Sequence, residues 1–138
     1  MRVSHTIQIR APLDRVWAVT LDVERWPDWT PTVTSVERLD GGPVQVGSRV
    51  RMKQPLQPPS EWVVTRCDAG KAFAWETRRP GLRMIGTHEM RTAPTGTTNI
   101  LHVDAHGPLA VLLWPLLLLA MRRALRDENV GLARYCEQ

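Results

Sequence analysis

His88 is the residue whose type and surroundings best suit it for chemistry. It lies in Met84-Ile85-Gly86-Thr87-His88-Glu89-Met90, where alternate positions are apolar or glycine. On a strand, Met84, Gly86, His88 and Met90 therefore share one face, with the imidazole as its strongly polar member. An imidazole titrates near neutral pH, so it can orient a ligand carbonyl or hydroxyl, or serve as a general acid or base. A lone inward histidine is more often a hydrogen-bonded structural group. No inward Asp or Glu is evident to orient this ring, which leaves catalysis without a second member. Thr77 and Tyr135 offer further polar contacts.

Other constellations carry less. His102-x-Asp104-x-His106 looks like a metal motif, but on a strand the two histidines stand about 13 Å apart and cannot share an ion. One histidine with Asp104, helped by Glu89 or Thr87, would be needed, and a solvated outer face is the expected role. No metal or cofactor is expected. A G-x-S-x-G elbow and a phosphate-cradling glycine loop are absent. Cys67 and Cys136 are too far apart for a CxxC pair and read as reduced thiols. Trp26 and Trp29, in Trp-Pro-x-Trp, are suited either to stacking on a flat ligand at a pocket rim or to pinning short helices onto a sheet.

The elements that must position these residues are legible. Val3, His5, Ile7 and Ile9 alternate as a strand, and Pro12 opens a short helix carrying Val16, Trp17, Val19, Thr20 and Val23. Pro27 and Pro31 limit the next stretch to a turn or short helix. Strands follow from residue 32 to 106. Val50 and Met52 face inward, then the proline-rich Gln54–Pro59 forms a loop. Glu61–Cys67 with Ala72–Thr77, and Leu82–Thr92 with Thr97–His106, form two hairpins. Their inward faces carry Trp62 and Val64, then Phe73, Trp75 and Thr77, and finally Leu101, Val103 and Ala105. A long amphipathic helix ends the chain, with Trp114, Leu118, Met121, Leu125 and Leu132 on one side and Arg122, Arg126 and Arg134 away from it. Consecutive strands with segregated helices predict one α+β domain over residues 1–138 with an antiparallel sheet.

Composition sets limits. Of 138 residues, 43% are hydrophobic, which suits one folded core. The net charge of +4 raises nucleic acid as a partner. Its arginines are dispersed and no reading motif accompanies them, so a solvated basic surface is expected instead. His5, Gln8 and Arg10 interrupt any signal-peptide core, and a cytoplasmic protein is expected. The apolar run Leu109–Met121 covers about 13 residues against the roughly 20 a bilayer needs, and Pro115 interrupts it, so no transmembrane segment is expected. Leu109, Leu112, Leu113, Leu116 and Leu119 form a second apolar side. Intramolecular cover by the N-terminal helices, a homodimer contact or a membrane surface would account for it.

The chain resembles the polyketide cyclase/dehydrase and lipid-transport family, in the START-like, Bet v 1-like group. The likeness rests on Ile9-Arg10-Ala11-Pro12, Val16-Trp17, Asp22-Val23-Glu24-Arg25-Trp26-Pro27-Asp28-Trp29 and Val46-Gly47-Ser48-Arg49-Val50. Trp62-Val63-Val64, Phe73-Ala74-Trp75, His88 and Gly107-Pro108-Leu109 complete it. It implies a helix-grip fold, a curved sheet of about seven strands around the C-terminal helix, with two short helices after the first strand. It also implies a cavity between sheet and helix, although Met52, Met84, Met90 and Met121 at these spacings would equally fill a solid core. The ligand-binding set expected on that basis is Trp26, Trp29, Val50, Met52, Trp62, Val64, Phe73, Trp75, Met84, Gly86, His88, Met90, Leu101 and Val103 from the sheet side. Leu117, Leu118, Met121 and Leu125 complete it from the helix. The leading expectation is binding of a small hydrophobic molecule, such as a lipid, polyketide or aromatic metabolite, without a convincing catalytic set. A polyketide aromatase/cyclase using His88, and an interaction module docking through the Leu109–Leu119 face, are the rival readings.

Overall fold

The computed structural model describes all residues, 1–138. Strand β1 (Arg2–Ile9) leads into helix α1 (Leu13–Leu21) and a 3-10 helix (Val23–Asp28). Strands β2 (Ser35–Arg38), β3 (Arg49–Lys53), β4 (Ser60–Asp68), β5 (Ala72–Arg79), β6 (Leu82–Ala93) and β7 (Gly96–His106) follow, and helix α2 (Pro108–Cys136) ends the chain. The seven strands form one antiparallel sheet in the order β1-β7-β6-β5-β4-β3-β2. The first two strands thus lie at opposite edges, and α1 with the 3-10 helix carries the chain between them. This is the α+β antiparallel arrangement that the sequence pattern predicts, and the helix-grip architecture that the resemblance implies.

Alternation places the side chains. Trp75 pairs with Gly86 across β5 and β6, and His88 pairs with Phe73 on one side and Leu101 on the other. In β4 the register shifts between Val64 and Arg66. Thr65 and Arg66 are both exposed there, and inward alternation resumes at Cys67.

The buried apolar residues fall into two clusters. One gathers Ile9, Val16, Val23, Trp26, Trp29, Val50, Met52, Trp62, Val64, Phe73, Trp75, Met90 and Leu132. The other gathers Val3, Leu101, Ala105, Ala110, Met121 and Leu125, and Met84 packs against both. Helix α2 crosses from one cluster to the other.

Polar bonds lock α2 in place. Asn99 on β7 donates its Nδ2 to Asn129 Oδ1 at 2.7 Å, and Asn129 Nδ2 stands 2.8 Å from His5 Nδ1 and 3.2 Å from the His5 carbonyl. Arg15 of α1 donates to the carbonyls of Cys136 and Tyr135 in the last turn. Gly131 lets the helix backbone pass the Trp29 carbonyl, where any Cβ would overlap the oxygen.

Two features of α2 bear on what the sequence suggests. The helix runs 29 residues and contains an 18-residue window of mean hydropathy 1.6, so it is long and apolar enough to cross a membrane by length and composition. Beyond Met121 the helix adds apolar Ala124 and Leu125, which the thirteen-residue count omits. The second is cover: of the three accounts open for the leucine face, shelter by the N-terminal helices is not seen. Leu109, Leu112, Leu116 and Leu119 are exposed, because α1 packs at the other end of α2 and leaves the leucines open.

Gly131→Ala is expected to lower stability by about 3 kcal/mol in urea unfolding, since backbone rather than a flexible side chain must yield. An unchanged midpoint would show that Trp29 and α2 separate without cost.

Candidate functional site

A cavity of about 290 Å³ occupies the seam between the two core clusters. Trp26, Met52, Trp62, Trp75, Met84, Gly86, His88, Leu101 and Val103 line it from the sheet side, and Leu117, Met121 and Leu125 from α2. Its size is at the lower end of small-molecule pockets, and its wall is mostly apolar.

Six expected residues lie behind the wall. Val50, Val64, Phe73 and Met90 are buried in the larger cluster, Leu118 packs into the smaller one, and Trp29 packs against Trp26 outside the cavity. Alternation shows that a side chain faces the core but not which volume of the core it fills. Gly86 does line the cavity. The space above it is taken partly by the Trp75 indole, whose Nε1 would stand 3.3 Å from a Cβ at 86. Ala105, inward-facing as its alternation requires, is packed in the smaller cluster.

The indoles form a connected wall. Trp62 and Trp75 have ring centroids 5.8 Å apart, Trp75 and Trp26 4.9 Å, and Trp26 and His88 5.1 Å. Trp26 takes the pinning role weighed for it and also reaches the cavity. Its Nε1 donates to the Thr20 carbonyl at 3.0 Å and pins α1, while its ring lines the cavity. Trp62 Nε1 and His88 Nδ1 are buried without a protein partner. Buried polar groups of this kind make a site receptive to a ligand oxygen.

Glu128 is the candidate site residue that strand-based reading missed. Its Oε1 lies 3.3 Å from His88 Nε2, and its side chain keeps 13% of its surface, at the cavity. The signal was present in α2, because Glu128 stands three residues after Leu125 and four before Leu132 on the inward stripe. Burial pushes His88 down to about 3 and Glu128 up to about 8, so both are uncharged at neutral pH. A neutral carboxyl can donate to an imidazole nitrogen, and a neutral imidazole can take that proton. The pair therefore has the composition of a proton shuttle in a dry site.

Towards the mouth the wall becomes polar. Gln54, Gln57 and Ser60 line it, with Arg79 reaching the Ser60 hydroxyl and the Pro58 carbonyl. Thr77, also on the wall, donates to the Glu61 carbonyl, whereas Tyr135 lies by α1, away from the cavity. No three His, Cys, Asp or Glu side chains gather as a metal site. Asp104 is held by Arg2 at 2.9 and 3.1 Å, and His102 Nδ1 meets Ser4 at 2.6 Å. Several arginines are likewise paired with carboxylates, as in Arg49–Glu61, Arg66–Asp68 and Arg78–Glu76.

The two shifts give a stability profile. Between about pH 3 and 6.5 the unfolded chain takes up a proton that buried His88 refuses, so this group makes stability rise with pH. Between 4.5 and about 8 the unfolded chain releases a proton that Glu128 keeps, so this group makes stability fall as pH rises. The effects oppose each other in the middle, leaving a decline above pH 6.5. Urea unfolding from pH 6.5 to 8 is expected to show about 2 kcal/mol of loss. Glu128→Gln should flatten that limb, and an equal decline in the variant would place its origin elsewhere.

The model of the family described as polyketide cyclase / dehydrase and lipid transport matches residues 1–137. A Streptomyces halstedii protein named "Putative polyketide cyclase" is 32% identical over 110 residues, covering 78% of this chain and 90% of that one. Among solved structures, the Zhui aromatase/cyclase of Streptomyces sp. R1128 superposes with a TM-score of 0.80 at 22% identity, covering 99% of this chain and 93% of that one. A hypothetical protein of Helicobacter pylori gives 0.85 at 14% identity, covering 99% and 88%. With the family model matched across residues 1–137, the chain belongs to the polyketide cyclase/dehydrase and lipid-transport family.

Proposed function

We infer that the cavity receives a small, flat, largely apolar molecule bearing oxygen, of the polyketide or aromatic-metabolite class. The observation that carries this reading is the unpartnered Trp62 Nε1 in an otherwise apolar, indole-walled cavity. Indole faces suit a planar ligand, and the free N–H suits a carbonyl or hydroxyl oxygen. The S. halstedii relative's name supports the same ligand class. Cytoplasmic location belongs to this proposal, and the two free cysteines are compatible with it.

A second reading is favoured by one specific contact, His88 with Glu128. In that reading His88 takes a proton from a carbon beside a ligand carbonyl, and Glu128 delivers one to the departing hydroxyl or the enolate oxygen. The net change is enolisation or loss of water, with no redox partner, and the imidazolium then returns its proton to the Glu128 carboxylate. Both groups stay neutral and competent between about pH 3 and 8, and ionised Glu128 can no longer donate above that.

The binding test is tryptophan fluorescence titration with aromatic polyketides, alongside native mass spectrometry of the purified protein. Trp62→Phe keeps the ring but removes the donor, and is expected to weaken affinity roughly fivefold to tenfold. Gly86→Leu should displace Trp75, fill the cavity and abolish uptake while the fold persists. Uptake unaffected by both variants would move the ligand site elsewhere. Catalysis is separated from carriage by Glu128→Gln. Roughly hundredfold slower turnover with affinity retained supports the proton-transfer reading, and unchanged turnover rejects it.

A further inference from the structure

The cavity does not use the outer face of α2. Leu112, Leu116 and Leu119 are 74%, 70% and 67% exposed and stand at spacings of four and three, so they form one ridge. Continuing the same spacing, Arg123 and Arg126 occupy the next positions on that line, and Arg122 stands beside them; all three are exposed. From Pro108 to Arg126 the helix carries no carboxylate. The outer stripe is thus leucine over its first half and arginine over its second.

We propose that this stripe docks the protein onto a membrane surface containing anionic phospholipid. Leu119 and Arg123 are about 6 Å apart along the axis, so leucines can enter the acyl boundary while the arginines reach the phosphates. A second copy of the chain fits less well. The leucines would bury one another, but the stripe offers no acid to meet the three arginines, and only Arg126 has a carboxylate nearby, Asp127 at 3.5 Å. An anionic lipid surface supplies both an apolar layer and the missing charge. Leu117 and exposed Ala120, next to the ridge, line the cavity. Docking therefore brings the cavity wall to the hydrocarbon boundary, where an apolar ligand partitions. This inference stands whether or not the bound ligand is a polyketide.

The test is flotation with vesicles of phosphatidylcholine alone and with about one-third phosphatidylglycerol. The whole chain is expected to float with the anionic vesicles, less so as salt is raised, and weakly with the neutral ones. Leu112→Ser/Leu116→Ser/Leu119→Ser should reduce capture roughly tenfold or more with an unchanged melting temperature, since these side chains are exposed. Arg123→Glu/Arg126→Glu, which alters no packing, should remove the salt-dependent part. A wild type that stays free of anionic vesicles overturns the proposal, as does capture indifferent to both variants. A wild-type dimer in sedimentation that the leucine variant splits, without vesicle capture, assigns the ridge to a second copy instead.

Discussion

The rotational setting of α2 depends on one buried amide. Asn129 is held by Asn99 from β7 and meets both the ring and the carbonyl of His5 on β1. Apolar stripes tolerate a roll of some tens of degrees, because leucines repack, but a buried amide with fixed partners does not. Rolling α2 by one residue would leave Asn129 without its partners and carry Glu128 away from His88. Met121 and Leu125 would leave the cavity wall with it. Thus an interaction that touches no ligand sets the geometry of those that would.

That setting explains how an acid and a base coexist uncharged beneath four aromatic rings. His88 is fixed by strand pairing with Phe73 and Leu101, and its ring is edged by Trp26 and Phe73. Glu128 arrives from the opposite layer. Separated from water, neither group can ionise cheaply, and their proximity does not rescue the charges. The cavity persists because the wall residues are large and mutually braced. Trp75 leans across Gly86 and against Trp26 and Trp62, so the indoles hold one another back from the void.

Much of this was legible from residues alone. The period-two runs and their turn residues mark β4 to β7 closely, and the helix stripe marks α2. Inward faces were legible too, but the seam between two core clusters was not. It lies between the sheet and α2, and no local pattern encodes that separation. Val50 and Met52 illustrate the point, being alternate neighbours on one strand of which only Met52 reaches the cavity. Glu128 was readable on the helical wheel, as a carboxylate among Met121, Leu125 and Leu132. It escapes any search for a partner that follows the strands. Gln54, Gln57 and Ser60 lie in or beside a proline-rich loop whose path is set by β5 and Arg79, so their place at the mouth is a property of the assembled sheet.

The edge position of β1 has a consequence for how the molecule forms. Its register joins Arg2 to Asp104, positions 102 residues apart, so this pairing awaits nearly the whole chain. The hairpins from β4 to β7 can close early, since their loops are short and their contacts local. Until β1 and α2 arrive, β7 is an unpaired edge and the indole-rich underside faces water. Unpaired strand edges and open apolar faces of this kind favour self-association in general. The last docking step would then shelter the strand edge, bury the aromatic wall and bring Glu128 to His88 together. Formation of the site is in this sense the final commitment of the fold rather than an addition to a finished scaffold.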